Sequence, residues 1–388
     1  MATDPTARLP GAPDPWAPSE MPASRTGPPY AMTEMIAAEP ALAGRLVRRL
    51  LADPTLELVA RHVSNAAQHQ QPVTFTGCGT SHHAAMAVAS LVADGLARAG
   101  RSDHRVRAEQ AFELAGRVPP SGAVIAISHE GGTDATNAAL RAAGGRSGQT
   151  ALVTVSDRSP GAALAASVLT TDEQDQSWCH TVGYLSPLLA GICLHASLDG
   201  GEVPPDRVER QVAAGADGAV AEELAAGLAG TDRLLVVGSG VDYPAARELA
   251  LKVEEGVRLP ATALDLETIR HGHLAAATSR TGLVVILTDG EGRGADLRER
   301  AATVLRAAAA LGMPSLVLGS GDVADVAGRA SAGRHLVDLD ERLVRPVAAI
   351  VGVVLPLQLL TERLARARGT NPDTLGREDP RQAAAASA

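Results

Sequence analysis

Val73-Thr-Phe-Thr-Gly77-Cys-Gly-Thr-Ser81 is a short apolar run that ends on a glycine turn, and a small-residue apolar stretch at helical spacing, Ala84 to Ala99, follows it. A run of this length bounded by glycine reads as a buried strand, and the turn leads directly into a helix. The unit returns at once: Ala123-Val-Ile-Ala-Ile127 is a strand, Ser128 to Thr133 a turn, and a helix opens at Asp134. Thr150-Ala-Leu-Val-Thr-Val155 is a third strand. Strands alternating with helices predict a parallel sheet covered on both faces, the α/β class.

The second half of the chain echoes the first. Leu234-Leu-Val-Val-Gly238-Ser-Gly240 matches the opening strand and turn, Leu283–Leu287 matches Ala123–Ile127, and Pro314–Leu318 matches Thr150–Thr154, at offsets of 161, 160 and 164 residues. Three landmarks in order and in nearly one register predict a duplicated unit. The domain reading is then a first unit over 31–200, a connecting helix over 201–230 and a second unit over 231–370. Residues 1–30 hold eight of the 24 prolines and read as a disordered arm. Residues 371–388 turn polar and read as a tail.

Composition excludes several classes. With a formal charge of −9 and no block of like charges, the 388-residue chain offers no footprint for nucleic acid or an anionic membrane. Two Trp, three Tyr and two Phe are too few for base-stacking platforms. The longest apolar run, Val347 to Leu360, is interrupted by Pro356 and Gln358 and is short for a bilayer span. Three cysteines and no visible signal peptide predict a cytoplasmic protein.

In an open parallel sheet, ligands bind beyond the carboxyl ends of the strands. Two glycine turns fall there, Cys78-Gly79-Thr80-Ser81 and Ser128-His129-Glu130-Gly-Gly-Thr133. Each opens a helix, so free N–H groups and hydroxyls suit an anionic or polyhydroxylated ligand. A second cluster is Lys252-Val-Glu254-Glu255 with Arg270-His271-Gly272-His273. Of 35 basic residues, Lys252 is the one lysine. Coding bias explains the arginines but not the survivor, and a compact ammonium has uses that a guanidinium lacks. Lys252 and Glu255 share a helix face, where an ordinary ion pair is the plain alternative. His271 and His273 lack a cysteine or third ligand nearby, so neither a metal nor a cofactor is expected. His82 and His83 read as turn-capping or solvent-facing.

These segments resemble the sugar isomerase (SIS) family, over about residues 32 to 370, and in pattern the isomerase domain of glucosamine-6-phosphate synthase. Met32-Thr-Glu-Met-Ile-Ala-Ala-Glu39-Pro40 is similar to the family's opening helix, the two glycine turns to its sugar-phosphate loops, and Gly238 through Glu255 to Arg270-His271-Gly272 to its second repeat. The resemblance implies two tandem SIS domains, each a flavodoxin-like three-layer sandwich. It also implies a homodimer with shared sites, in which Glu255 moves a proton between C1 and C2 of an open-chain sugar. His271 of the neighbouring subunit would help to open the ring, and Lys252 would line the same pocket. An enolisation needs such a base and a cation near the developing oxyanion.

Three departures qualify what the family implies. Residue 2 is alanine, with no cysteine nucleophile for glutamine hydrolysis at the N-terminus. No lysine stands in 371–388, so an imine would fall to Lys252 or to nothing. Glu130 takes the place of a phosphate-holding serine. Either a protonated His129 screens that carboxylate, or Glu130 turns away, or it binds a hydroxyl or amine; the remaining donors favour phosphate. The segment Glu173 to Tyr184, with Ser177-Trp-Cys-His180, occupies the place of another substrate loop. The reading is a double-SIS enzyme that interconverts a ketose phosphate with an aldose or 2-amino-aldose phosphate without glutamine hydrolysis. The alternative is a non-catalytic sensor of a sugar derivative.

Overall fold

The computed structural model describes residues 4–12, 25–101, 105–117, 119, 121–145, 149–288 and 294–386. Two five-stranded sheets are formed by these residues, and every neighbouring pair of strands in them is parallel. The first holds β1 (Pro72–Gly77), β2 (Arg105–Gln110), β3 (Ala123–Ile127), β4 (Thr150–Thr154) and β5 (Ser167–Thr170), in the order 2-1-3-4-5. The second holds β6 (Arg233–Val237), β7 (Ala261–Leu264), β8 (Thr281–Leu287), β9 (Ser315–Ser320) and β10 (Gly333–Val337), in the order 7-6-8-9-10. Helices flank both sheets, as expected for tandem α/β domains.

One face of each sheet contributes to a single hydrophobic core that runs through the molecule. Phe75 and Ile125 of the first sheet belong to it together with Val236 and Ile286 of the second. The opposite face of the second sheet packs Leu235, Leu283 and Val317 under the Gly294–Ala310 helix. The helix Val182–Asp199 is apolar on all sides and lies against the Thr80–Arg98 helix in the shared core; a helix without a polar face must be covered on every side. It and the Arg345–Arg368 pair of helical segments are long and apolar enough to cross a membrane, and 89% and 94% of their apolar windows are buried in the fold.

The connection read as one helix is two, Pro205–Ala213 and Gly218–Leu228. The first packs on the Ala31–Leu51 helix and the second on the Val354–Arg368 helix. Asp217 caps the second by accepting from the N–H groups of Ala219 and Val220, and this stop and restart is what a single-helix reading misses.

The flanking segments also differ from the expected arm and tail. Residues 4–12 lie along the first domain, because Glu173 accepts from the Leu9 N–H and Arg45 donates to the carbonyls of Thr6 and Ala7. Within 371–386, Asp373 accepts from the N–H groups of Ala31 and Met32 and so caps the first helix. The Arg377 guanidinium stacks 3.6 Å over the Trp178 ring. Prolines and charges that leave a segment without periodicity do not prevent it from being tied down by a few specific polar contacts. Arg25 pairs with Glu34 at 2.6 Å, and residues 1–3 and 13–24 of the arm fall outside the described ones.

Candidate active site

The order 2-1-3-4-5 places β1 beside β3, with Thr76 opposite Ala126. The turns that leave the carboxyl ends of these two strands therefore emerge side by side. Gly79, at φ 53° and ψ −130°, turns the chain into the Thr80–Arg98 helix in a conformation that a side chain would strain. Gly131 has φ 65°, and a Cβ there would lie 2.2 Å from the Ser159 hydroxyl. No side chain caps the start of either following helix.

Between the turns is a cleft of about 290 Å³, lined by Cys78, Gly79, Thr80, Ser81, Ser128, His129, Glu130, Thr133, His180, Gly183 and Glu255. The two sequence-predicted loops and Glu255, from the other half of the chain, thus meet around one space. No arginine or lysine is among the lining residues. The hydroxyls of Ser81, Ser128 and Thr133 have no hydrogen-bond partner among the described residues. Thr80 differs, because its hydroxyl donates to Glu248. The Cys78 thiol, half-buried, accepts from the Gln110 amide.

Glu255 lies in a π-helical turn, Val253–Val257, that continues the Tyr243–Lys252 helix. Such wide turns are frequent at functional sites. Its carboxylate keeps 28% of its surface exposed, and Oε2 accepts from Lys252 Nζ at 2.6 Å. Lys252 itself has no exposed surface, so it does not line the cleft as the family resemblance implied; it stands behind Glu255. Burial by itself would lower the lysine pKa. The Glu255 carboxylate, with Glu248 adding to it, overcomes that and holds the amine charged well above its ordinary value. An ammonium held this way has no lone pair to attack a carbonyl, which argues against an imine on Lys252.

Glu248 was not singled out from the sequence. It is fully buried, its Oε1 lies 3.6 Å from Lys252 Nζ, and its carboxylate pairs with His83 Nδ1 at 2.8 Å. Burial opposes its ionisation, but Lys252 and His83 outweigh this and keep its pKa below the ordinary value. His83 is therefore a buried partner of this network, not a solvent-facing residue. Its spacing was a usable signal: Glu248 precedes Lys252 by one helical turn.

The segment from Glu173 to Tyr184 is organised by Asp175, which has no exposed surface. Its carboxylate accepts from the N–H groups of Ser177, Thr181 and Gly183 and from the Ser177 hydroxyl. Burial alone would raise the Asp175 pKa, yet His180 and these donors keep it far below the carboxylate range. The loop so fixed carries His180 into the cleft, with Nδ1 3.6 Å from Asp175 Oδ2, a charge contact longer than a hydrogen bond. Burial opposes protonation of His180, but Asp175 prevails and raises its pKa.

His129 behaves in the opposite way. Its Nε2 accepts the Asp175 N–H at 2.9 Å, and burial, assisted by His180, lowers its pKa to about 4. A protonated His129 cannot then screen Glu130, which closes one of the three alternatives above. Glu130 is half-buried at the cleft and has no ion-pair partner among the described residues.

His271 is outside this cleft. It is 71% exposed, and its Nε2 lies 2.9 Å from a Glu267 carboxylate oxygen.

No protein-family model matches the sequence. The chain is 28% identical over 307 residues to the glutamine–fructose-6-phosphate aminotransferase (isomerizing) of Methanothermobacter thermautotrophicus, across 78% of this chain and 50% of that protein. The corresponding enzyme of Zymomonas mobilis is 28% identical over 320 residues, with the same shares covered. The chain spans about half the length of these curated relatives. Among solved structures, the C-terminal domain of glucosamine-fructose-6-phosphate aminotransferase from Francisella tularensis superposes with a TM-score of 0.75 at 18% identity, covering 90% of this chain and 99% of that one. The chain has the tandem sugar-isomerase fold. Tagatose-6-phosphate ketose/aldose isomerase from Escherichia coli shares that fold, with a TM-score of 0.71 at 15% identity, covering 92% of this chain and 98% of the other. The resemblance to the isomerase domain of glucosamine-6-phosphate synthase, drawn from motifs, extends over most of the chain.

Proposed function

We propose that this protein is an aldose–ketose isomerase-type enzyme acting on an open-chain sugar or amino sugar, with Glu255 as the base that carries the proton between C1 and C2. One observation supports this above the others: the ion-paired carboxylate of Glu255 lines a cleft that it shares with hydroxyls, helix starts, two histidines and Glu130. A positioned carboxylate can take a proton from the carbon next to a carbonyl and return it one carbon away. Lys252 acts through Glu255, fixing its orientation and balancing its charge, while free hydroxyls hold the sugar. The loop carrying His180 closes one side.

The site is completed in a homodimer, where His271 of the partner subunit would reach this cleft; in its own chain it is exposed and away from it. Three unpaired cysteines suit a reducing cytoplasm. The reaction uses no glutamine, and any amino group enters or leaves with the substrate. The relatives are named for phosphorylated sugars, and the hydroxyls of Ser81, Ser128 and Thr133 suit such a group; Glu130 opposes it.

The test is exchange of the C1 or C2 hydrogen with solvent deuterium, followed by NMR across a panel of sugars and amino sugars, each free and phosphorylated. Glu255→Gln should bind the same sugar and stop the exchange. Exchange at the wild-type rate in that variant would overturn the assignment.

A further inference from the structure

We propose that Glu130 is a specificity residue, selecting at its end of the cleft a group that is ammonium or neutral hydroxyl and disfavouring a phosphate dianion. The proposal rests on the reading that this cleft binds a sugar. It is argued from the charges around that space. Glu255, the other carboxylate lining the cleft, is compensated at 2.6 Å by Lys252. Glu130 has no such partner among the described residues, and no arginine or lysine lines the space around it. His129 beside it in sequence is committed as an acceptor to the Asp175 N–H and stays neutral. The positive charge that His180 can carry faces Asp175, which is already charged. Among the described residues, Glu130 is thus the uncompensated charge of the cleft.

A carboxylate left alone in a partly enclosed space attracts a ligand cation and repels a ligand anion, with little screening from bulk water. The hydroxyls of Ser81, Ser128 and Thr133 can donate or accept, so they serve a polyol or an amine as readily as a phosphate. Thr80, a fourth hydroxyl on the same rim, is withdrawn as a donor by its bond to Glu248 and can only accept from a ligand. The donor set for an anion is reduced and the acceptor set is increased in one cleft.

The test uses three hexoses that differ at one carbon: glucose, glucose 6-phosphate and 6-amino-6-deoxyglucose. Each is titrated calorimetrically into wild type and Glu130→Gln at pH 7.5. The wild type should bind the amine more tightly than the phosphate. Glu130→Gln should gain at least tenfold for the phosphate and lose at least tenfold for the amine, with glucose itself little changed. Unaltered ratios between the two proteins would overturn the proposal. Inorganic phosphate, titrated by thermal shift, gives a readout that needs no correct sugar. It should stabilise Glu130→Gln at no more than one tenth of the concentration that wild type requires, and equal responses would also overturn the proposal. Deuterium exchange measured separately distinguishes the two readings: its absence, with the charge preference intact, removes the isomerase assignment and leaves that of Glu130 standing.

Discussion

Lys252 Nζ, without any surface exposed to solvent, lies 2.6 Å from the half-buried carboxylate of Glu255. The single lysine of the chain is therefore a support under the candidate base and not a group on the cleft wall. Glu248, 3.6 Å away, and His83 behind it extend the support into the core. Lys252 thus stands between two carboxylates, so removing it takes the cation from both Glu248 and Glu255.

Lys252→Met should cost about 3–5 kcal/mol of stability, the range for breaking a buried ion pair by deleting one partner. Adding Glu248→Gln should restore part of that loss, because the buried carboxylate that has lost its lysine is then neutral. Lys252→Arg, although arginine has a similar helix propensity, should cost about 1–3 kcal/mol, since a larger fork must fit where no space is exposed. Urea denaturation of the three variants measures this. A loss below about 1 kcal/mol in Lys252→Met would mean that the network carries little of the stability.

The proposed sharing of sites between subunits predicts complementation. Glu255→Gln and His271→Ala homodimers should each be inactive, and unfolding and refolding them together should restore up to about half of the activity per heterodimer. Full wild-type activity in a species that sediments as a monomer would exclude the arrangement.

Glu39 has no exposed surface, and its Oε1 accepts from Gln358 while Oε2 has no partner among the described residues. Burial raises its pKa well above the ordinary value, against the opposing Gln358 bond. In the unfolded chain it ionises near pH 4.3. Its contribution to stability is therefore full below that pH and declines as the pH rises toward the folded value. Glu39→Gln, neutral at all pH, should gain on wild type between pH 5 and 8. Parallel stability curves for the two proteins would contradict this.

Asp373→Ala removes the acceptor for the Ala31 and Met32 N–H groups and should cost about 1 kcal/mol. Asp373→Asn should recover only part of it, because the two N–H groups bond to different carboxylate oxygens and an amide keeps one of them. Thermal unfolding reads both, and an unchanged midpoint in the alanine variant would show that water replaces the cap without loss.

The two sheets show where sequence reading succeeds and where it stops. The strands anticipated, β1, β3, β4, β6, β8 and β9, are interior and almost entirely buried, so they read as unbroken apolar runs. Those missed, β2, β5, β7 and β10, are the four edges. Arg105-Val-Arg-Ala-Glu-Gln110 has charged residues because one side of it has no neighbour, and nothing in its pattern separates it from a loop. The candidate site divides similarly. Glycine turns and the Lys252–Glu255 spacing were legible because local geometry makes them. Asp175 was not, because its role depends on N–H groups gathered up to eight residues away.

The cap on the first helix has a consequence for the order of assembly. Ala31 and Asp373 are 342 residues apart in the chain, yet the N–H of one is held by the carboxylate of the other. During synthesis this helix must wait for a segment made 342 residues later before its end is closed. Contacts between such distant residues form late, since they require most of the intervening chain to be in place. The nascent first domain emerges from the ribosome with an open helix end, and the arrival of Asp373 is what seals it.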